Sequence, residues 1–426
     1  MLVLDYKIKS VHAREVLDSR GNPTIAVNLR TKDCCVTSIV PSGASTGIHE
    51  ALELRDNNKS RFGGKGVLKA AYNVNKIISK KLIGKDCRWQ NEIDNFLIGL
   101  DGTENKSKLG ANAILGVSMA VCKAGASSSD KPLYEHVQDL SGSKRSLLPI
   151  PQMNIINSGK HAGVEHDIQE HMIMPTDFKN FNDALRAGAE AYHKLKEILK
   201  KKYGAKAILL GDEGGFAPPV ADVEERLELM MSAIEETGYS GKIKLALDCA
   251  ASEFVDGKSG KYMINDKKFD TGGLIDFYRN LVKKFPIASI EDGFAQDDWS
   301  GWNMFSTEMG NKVQIVGDDL LVTNIKRIRK ALDENACNAL LLKVNQIGTV
   351  TESIEAAKIS FKNHWNVVVS HRSGETEDSF IADLAVGLGA SQSKFGAPAR
   401  SERTAKYNRL LRIEQKLGKK AKFAGL

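Results

Sequence analysis

The sequence lacks the cysteine patterns of zinc sites and of disulfide frameworks. Its 426 residues include six cysteines, and no two of them form a CxxC arrangement. Several lie in apolar runs such as LDCAAS, where a reduced cysteine behaves as a small hydrophobic residue. This usage indicates a reducing compartment and excludes a small disulfide-stabilised fold.

Long apolar runs are missing as well. No uncharged apolar run approaches the about 18 residues that a membrane-spanning helix needs. Asp5 and Lys7 interrupt the region where a signal peptide would need apolar residues. We therefore expect a cytoplasmic protein without a membrane span.

Motifs of nucleic-acid binding are absent too. The formal net charge is +7, but the lysines are spread along the chain. No RNP-like aromatic motif and no zinc-finger spacing accompanies them. A solvated basic surface explains the charge better, and it would suit an anionic metabolite. No nucleic-acid partner is expected.

The first third of the chain predicts a small α+β domain. Residues 1–40 show β-branched alternation around a turn at 19–23, which is typical of a strand meander. From about 65 to 140, apolar residues recur every three or four positions, as in amphipathic helices. A Ser- and Pro-containing stretch follows, so we place an N-terminal domain at 1–140 and a C-terminal domain at 141–426.

Beyond this boundary, short apolar runs alternate with amphipathic helical segments. This alternation predicts a parallel sheet that is buried on both faces. At least six such units favour a (β/α)8 barrel, in which functional groups gather at the C-terminal strand ends. A doubly wound sheet is the alternative, but no GxGxxG follows the first strand. The runs end near charged residues, namely Glu213, Asp248, Glu291, Asp318, Lys343, His371, Arg372 and Lys394.

Lys343 follows the apolar run ALLL, where a buried cation is unexpected. Each carboxylate at a neighbouring run end could by itself be an ordinary solvated residue. Three of them at one rim (Asp248, Glu291 and Asp318) require a compensating cation, and oxygen ligands without His or Cys favour Mg²⁺. A lysine beside such an ion should have a lowered pKa. It could then act as a general base on a proton next to a carboxylate.

Two further stretches predict an anion site and an acid. Arg372 offers a planar donor fork, and Ser373 and Lys394 could complete a site for phosphate or carboxylate. A strand-end salt bridge is the alternative for Arg372. Glu213 lies among glycines in GDEGG, where the backbone can approach a ligand, and it is the candidate acid. A solvated turn glutamate is its alternative.

These motifs, taken in order, resemble the enolase family. The resemblance covers essentially residues 7–424, and a set this long is highly specific. It implies an α/β fold with an enolase-type (β/α)8 barrel that begins with two antiparallel strands and two helices. The smaller α+β N-terminal domain would combine a three-stranded meander with helices. The matching stretches are DSRGNPT (18–24), PSGASTG (41–47), GANAILGVS (110–118), GDEGGFAP (211–218), LLLKVNQIG (340–348), SHRSGETED (370–378) and GAPARSER (396–403).

The resemblance implies interconversion of 2-phosphoglycerate and phosphoenolpyruvate, with two Mg²⁺ ions per active site and a homodimer. Lys343 would remove the C2 proton, and Glu213, assisted by Glu170, would protonate the departing 3-hydroxyl. The implied metal ligands are Asp248, Glu291 and Asp318, with Ser45 from a closing loop for the second ion. The implied substrate-binding residues are His161, Gln169, Glu170, Glu291, Asp318, Ser370, His371, Arg372, Ser373 and Lys394.

Several positions depart from the usual pattern of the family, among them Ser158, His171, Gly293 and Phe395. The charges at Glu165, His166 and Asp167 are also unusual for a loop that closes on an anion. Two other functions stay open at this point. One is another metal-dependent dehydratase or racemase of the wider barrel superfamily, which need not keep Glu213 and Arg372 in these contexts. The other is a weakly active paralogue with a structural or binding role.

Overall fold

The computed structural model describes residues 6–44 and 47–425, and its N-terminal part begins with the predicted strand meander. The strands β1 (Ser10–Leu17), β2 (Pro23–Arg30) and β3 (Cys35–Ile39) form an antiparallel sheet in the order β1-β2-β3. The alternating exposure along the first half of β1 is the pattern of a strand with one buried face.

Helices cover one side of this sheet. The helix α1 (Ala111–Ser128) packs on β2 and β3 and is buried along most of its length. Gly116 allows this close approach, because a Cβ there would lie 2.6 Å from Val27 Cγ2. The other helical segments of the N-terminal part are Phe62–Gly64 (3-10), Leu68–Tyr72, Asn73–Ile78 (π-helical), Ser79–Leu82, Gln90–Asp101 and Leu133–Ser141.

The C-terminal part is a closed barrel of eight strands, as the sequence predicts. The barrel closes because the last strand pairs in parallel with the first. The strands are β4 (Ile150–Asn157), β5 (Glu170–Pro175), β6 (Ile243–Asp248), β7 (Ile287–Glu291), β8 (Gln314–Gly317), β9 (Ala339–Leu342), β10 (Asn366–Ser370) and β11 (Gln392–Lys394).

One strand runs against the others. β5 is antiparallel to both β4 and β6, whereas the remaining neighbours in the barrel are parallel. Two long helices, Phe181–Tyr203 and Val223–Glu236, follow β5 before the first parallel unit begins. The barrel therefore starts with two antiparallel strands and two helices, as the family resemblance implies.

One run that was expected to be a strand is not one. The segment before Glu213 forms the 3-10 helix Ala205–Ile208 and a loop instead. Leu209 and Leu210 are 64% and 39% exposed, respectively, because this segment lies outside the barrel. The expectation was wrong because a short apolar run does not by itself distinguish a buried strand from a surface loop.

The outer helices begin at side-chain caps. At six of them the side chain of the preceding residue accepts a hydrogen bond from a backbone N–H of the first turn, which fixes the start of the helix. These caps are Asn180, Asp222, Asp270, Asp298, Asn324 and Thr349. The remaining helices of this part are Gly159–Ala162, Thr271–Lys284, Trp299–Met309, Ile325–Asp333, Val344–Ile347, Val350–Lys362, Phe380–Leu388 and Ser401–Leu417.

Short elements complete the C-terminal part. The strands Leu147–Leu148 and Lys422–Phe423 pair in parallel, and Tyr262–Ile264 pairs with Lys267–Phe269 in a small hairpin. Single 3-10 turns lie at Ala251–Glu253 and Gly418–Lys420. No helix in the described parts of the chain is both long and apolar enough to cross a membrane.

The N-terminal part caps a barrel helix. At the start of Val350–Lys362, Ser118 Oγ accepts the N–H of Val350 at 2.9 Å. Asp94 Oδ2 accepts both the N–H and the hydroxyl of Thr351, at 3.0 and 2.7 Å. These bonds satisfy donors that a helix leaves open at its N-terminus. They fix the N-terminal part against the start of the helix Val350–Lys362.

Replacing Asp94 tests this junction. Asp94→Ala should lower the free energy of unfolding by about 1–3 kcal/mol, because partly buried donors of Thr351 lose their acceptor.

Burial raises the pKa of the Asp94 carboxyl. The wild type therefore loses stability as pH rises above the unfolded pKa of about 3.9. Asp94→Asn lacks this loss, so its stability relative to the wild type should improve between pH 4 and pH 8 in urea denaturation. An unchanged difference would contradict this account.

Candidate active site

The predicted functional residues meet at one rim of the barrel. Asp248 and Glu291 are the last residues of β6 and β7 and are paired in register. Asp318 and Lys343 follow β8 and β9 directly, and Lys394 ends β11. This rim is the C-terminal end of the parallel strands, where barrel enzymes carry their chemistry.

Glu170 reaches the same rim from the opposite chain direction. It is the first residue of β5, and because β5 is antiparallel, Glu170 pairs with Asp248. Gln169, the residue before it, donates its N–H to the carbonyl of Asp248 at 3.1 Å. The reversed strand therefore adds an acid and an amide to the rim.

Lys394 is the cation at the centre of the acidic side chains. Its Nζ lies 2.8 Å from Asp248 Oδ2, 2.8 and 2.9 Å from the two oxygens of Glu291, and 3.2 Å from Glu170 Oε2. Burial opposes its charge, but these carboxylates outweigh burial and hold its pKa well above the ordinary value. Burial and Asp248 in turn raise the pKa of Glu291. Lys394 thus balances a buried negative cluster.

Lys343 forms a second such contact. Its Nζ lies 2.5 Å from Asp318 Oδ2, and Gln346 donates to the other oxygen of Asp318 at 2.8 Å. Burial disfavours the ammonium form, but Asp318 outweighs burial, so the pKa of Lys343 is raised. The sequence-based expectation of a lowered pKa refers to Lys343 beside a bound metal ion, and it stays a prediction.

Glu213 and Glu170 face one another across His161. Nδ1 of His161 lies 3.5 Å from Glu170 Oε1 and 3.8 Å from Glu213 Oε1. Burial and the charge of Glu213 raise the pKa of Glu170 well above its ordinary value. Burial acts in the same direction on Glu213, but the facing imidazole of His371 and the charge of Arg403 favour its ionised form and hold the pKa of Glu213 low. These opposite shifts favour a shared proton on Glu170 over Glu213.

Neighbours also fix the orientation of His371. Arg403 Nη1 donates to its Nδ1 at 2.6 Å, and a guanidinium cannot accept. Burial, with the charge of Arg403, lowers the pKa of His371 to about 3 despite the nearby Glu213. The ring is therefore neutral, with its proton on Nε2, which faces Glu213 Oε2 at 3.2 Å. Asn154 adds a hydrogen bond of 3.1 Å to the same oxygen.

The predicted anion-binding side chains contact the N-terminal part. Arg372 donates through both terminal nitrogens to the carboxylate of Glu50, at 2.9 and 3.1 Å, and to Asn345 at 3.0 Å. Ser373 Oγ accepts the N–H of Ala44 at 2.7 Å. A carboxylate of the chain thus occupies the guanidinium fork predicted to take an anion. Ser45, predicted as a metal ligand, lies outside the described residues.

The converging side chains enclose a small polar cleft. Its free volume is about 20 Å³, roughly the space of one water molecule. A substrate with a phosphate and a carboxylate therefore needs side chains or loops to move. The predicted residues that line this cleft are His161, Gln169, Glu170, Glu213, Asp248, Asp318, Lys343, Ser370, His371, Arg372, Ser373 and Lys394.

The donor atoms suit a hard divalent cation. Asp248, Glu291 and Asp318 are buried and offer only carboxylate oxygens, the ligands that Mg²⁺ prefers. Lys394 now contacts two of them and Lys343 the third, so the cluster already attracts positive charge. The residues therefore fit a metal ion.

Ligand atoms that could hold a metal ion converge in two groups of described side chains, and neither group is the predicted set Asp248, Glu291 and Asp318. His161, Glu170 and Glu213 form one group, and Asp292, Asp318 and Asp319 form the other, each with ligand atoms within 4.8 Å of one another. Asp292 uses its two oxygens to accept the N–H groups of Asp318 and Asp319, both at 2.8 Å. It therefore orients the Asp318 loop rather than facing solvent.

Sequence reasoning missed several residues of the site. For four of them the sequence contained a partial signal. Asp292 follows Glu291 directly, and Asn345, Gln346 and Arg403 lie in the quoted stretches LLLKVNQIG and GAPARSER. Glu50 and Asn154 had no signal of their own, because only the fold brings them to the rim. The missed residues are Glu50, Asn154, Asp292, Asn345, Gln346 and Arg403.

Known proteins match nearly the whole chain. Residues 8–137 match the family model for the enolase N-terminal domain, and residues 145–426 match that for the enolase C-terminal TIM barrel domain. A curated protein named Enolase from Thermococcus gammatolerans is 56% identical over 422 residues, which cover 99% of this chain and 97% of that protein. Another named Enolase, from Mastigamoeba balamuthi, is 56% identical over 427 residues, with 98% and 97% covered.

Removing the central cation tests the charge balance of the rim. Lys394→Met should lower the free energy of unfolding by about 3–5 kcal/mol at pH 7.5, because the buried carboxylates lose their partner. The loss should shrink at pH 5. Without Lys394 the pKa values of Glu291 and Glu170 rise further, and protonation then relieves their repulsion. Thermal unfolding without divalent cations measures the difference from the wild type. A loss that is equal at both pH values would contradict the electrostatic explanation.

Proposed function

The chain belongs to the enolase family and is a lyase, a phosphopyruvate hydratase, and we propose that Lys343 and the Glu170–Glu213 pair perform its two proton transfers. The substrate pair is 2-phosphoglycerate and phosphoenolpyruvate. The observation that supports this assignment most directly is that the buried Lys343, at a strand end, lines the same cleft as Glu170 and Glu213, whose carboxyls lie on either side of His161.

We assign the removal of the C2 proton to Lys343. Its ammonium is anchored by Asp318, and the backbone N–H of Lys343 donates to Thr323 Oγ1 at 3.0 Å. The lysine side chain is thus fixed at both its ends. To act as a base it must first lose a proton, which requires the charge of Asp318 to be engaged elsewhere.

We assign the delivery of a proton to the departing 3-hydroxyl to the Glu170–Glu213 pair. Two interacting carboxyls titrate as a unit, so a single proton is shared between them. The opposite directions of their pKa shifts favour Glu170 as the group that holds it. His161, which faces both carboxyls, and the Nε2 proton of His371 can orient the leaving oxygen. The acid is therefore the pair, rather than Glu213 alone.

We propose that Asp248, Glu291 and Asp318 hold Mg²⁺, with a second ion bound beside the substrate. A bound Mg²⁺ would stabilise the negative charge that develops on the substrate carboxylate and would lower the pKa of nearby ammonium groups. Lys394, whose Nζ lies 2.8 Å from Glu291, would bind the same substrate carboxylate.

Arg372 and Ser373 would bind the substrate phosphate. Their present partners, Glu50 and the N–H of Ala44, belong to the segment after β3 that links the N-terminal part to the rim. Since the cleft has almost no free volume, substrate entry must displace Glu50 from Arg372. We propose that this segment moves on binding and that Ser45 within it contacts the second ion, as the family resemblance implies.

We further propose that the protein works in the cytoplasm as a homodimer, as the resemblance implies. All six cysteines are free thiols, which fits a reducing compartment. Size-exclusion chromatography with light scattering measures the subunit number directly, and a monomer at micromolar concentration would refute the dimer.

Replacing Lys343 tests the catalytic assignment. Phosphoenolpyruvate formation, followed by ultraviolet absorbance, should fall by a factor of at least about 10²–10⁴ in Lys343→Ala. Lys106→Ala is the matched control, because Lys106 is also a buried lysine with a carboxylate partner, Glu352, at 3.0 Å. It should keep its turnover. A folded wild type that binds Mg²⁺ but produces no phosphoenolpyruvate would overturn the enzymatic proposal and favour a binding role.

Metal binding gives a prediction that is independent of activity. Saturating Mg²⁺ should raise the unfolding temperature of the wild type, since a ligand at 100 times its Kd adds about 2.7 kcal/mol. Asp248→Asn should lose most of this increase, and Asp256→Asn, at an exposed loop, should keep it. An equal increase in both variants would place the ion elsewhere.

A further inference from the structure

The segment 158–169, called the β4–β5 loop here, joins two barrel strands at the catalytic rim. It contains His161 and Gln169 and leads directly into Glu170, so three predicted site residues depend on its shape. Its base is closed by a hydrogen bond of 2.8 Å from the N–H of Ser158 to the carbonyl of Gln169. The loop therefore leaves and re-enters the barrel at one point.

A buried ion pair lies under this loop. Asp167 accepts two hydrogen bonds of 2.5 Å from the two terminal nitrogens of Arg226, and both side chains are 1% exposed. Ser158 Oγ donates to the same carboxylate at 2.5 Å. Asp167 thus joins the start of the loop, its end and the helix Val223–Glu236 outside the barrel.

The backbone of the loop packs tightly around Asp167. Gly159 has φ +51°, and a Cβ at this position would lie 3.0 Å from the carbonyl oxygen of Asp167. His161 follows two residues later, within the short helix Gly159–Ala162. A displacement of Asp167 would therefore be transmitted over a few bonds to the imidazole between Glu170 and Glu213.

Neighbouring side chains do not compete with the contact between Asp167 and Arg226. His171 is buried beside them, and burial together with the charge of Arg226 lowers its pKa well below the ordinary value. The neutral His171 does not compete with Arg226 for the carboxylate. Among the described residues, the guanidinium of Arg226 has only one further hydrogen bond, a long one of 3.4 Å to the carbonyl of Ala221.

We propose that Asp167 and Arg226 are positioning residues that hold the β4–β5 loop so that His161, Gln169 and Glu170 face the reacting atoms. This inference rests on the proposed function of the Glu170–Glu213 pair. A bidentate guanidinium–carboxylate contact fixes both distance and orientation, which a single ammonium or an apolar pair does not. Neither Asp167 nor Arg226 lines the cleft itself.

The test compares four variants with the wild type in saturating Mg²⁺. Arg226→Met and Asp167→Asn each break the pair, and the double variant removes both charges. Arg226→Lys keeps the charge but offers no planar fork. The control is Asp383→Asn/Arg409→Met, because this pair is also bidentate, at 2.7 and 2.5 Å, but joins two outer helices away from the rim.

The expected signature is a selective loss in the second half of the reaction. In the double variant kcat should fall about 10–100-fold while KM changes less, since small misplacements of catalytic groups cost rates of this size. Deuterium exchange at C2 of 2-phosphoglycerate, which needs Lys343 but not the loop, should fall much less than phosphoenolpyruvate formation. Arg226→Lys should recover only part of kcat.

Amide hydrogen exchange gives a readout that does not depend on turnover. Residues 158–169 should exchange at least about tenfold faster in the double variant and at the wild-type rate in the control. The double variant leaves no buried charge without a partner, so it can still be measured if a single variant fails to fold.

Two results would overturn the inference. One is a double variant with wild-type kcat and wild-type exchange in the loop. The other is an equal fall of C2 exchange and product formation, which would show a general structural role. A wild type without turnover would instead overturn the proposed function, and the amide exchange would still show whether the pair holds the loop.

Discussion

The structure of the rim depends on one electrostatic constraint. Buried carboxylates from several strands lie so close together that they can stay ionised only around a cation. Lys394 and Lys343 supply this positive charge from the protein itself, at 2.5 to 3.2 Å from their partners. The same acids are the proposed ligands of Mg²⁺. The two lysines and the metal would therefore share one set of carboxylate oxygens. A contact that one of these cations gains would change the pKa values of the lysines and carboxylates around it.

The N-terminal part contributes to the site as well as covering it. Glu50 occupies the guanidinium fork of Arg372, and Asp94 and Ser118 cap the helix Val350–Lys362. Side chains nearly fill the cleft in this arrangement. Under the proposed function, substrate binding separates Glu50 from Arg372, and the two anionic groups of the substrate replace that contact. A neutral molecule could not replace it, so the contact would also select among ligands.

Much of the fold and of the rim could be predicted from the sequence, because charged residues such as Asp248 and Glu291 end apolar runs at regular spacing. The run before Glu213 misled the prediction, since its leucines lie on the surface. Pairings between distant segments had no local signal, and Arg226 looks like any arginine on an amphipathic helix. The protonation states of the site residues also could not be predicted from the sequence. The pKa of Lys343 depends on which cation Asp318 contacts, and composition does not show that.

The closure of the barrel has a consequence for how the molecule is made. β11 pairs with β4, and the buried amides of Gln152 and Gln392 meet across 240 residues of chain. Contacts of such sequence separation form late and slowly, because the loop entropy must be lost before they stabilise anything. During synthesis β4 and β5 leave the ribosome long before their closing partner. Until then the β4–β5 hairpin has an unpaired edge, and its Glu170 lacks Asp248 and Lys394 as neighbours, so this edge is open to association with other chains.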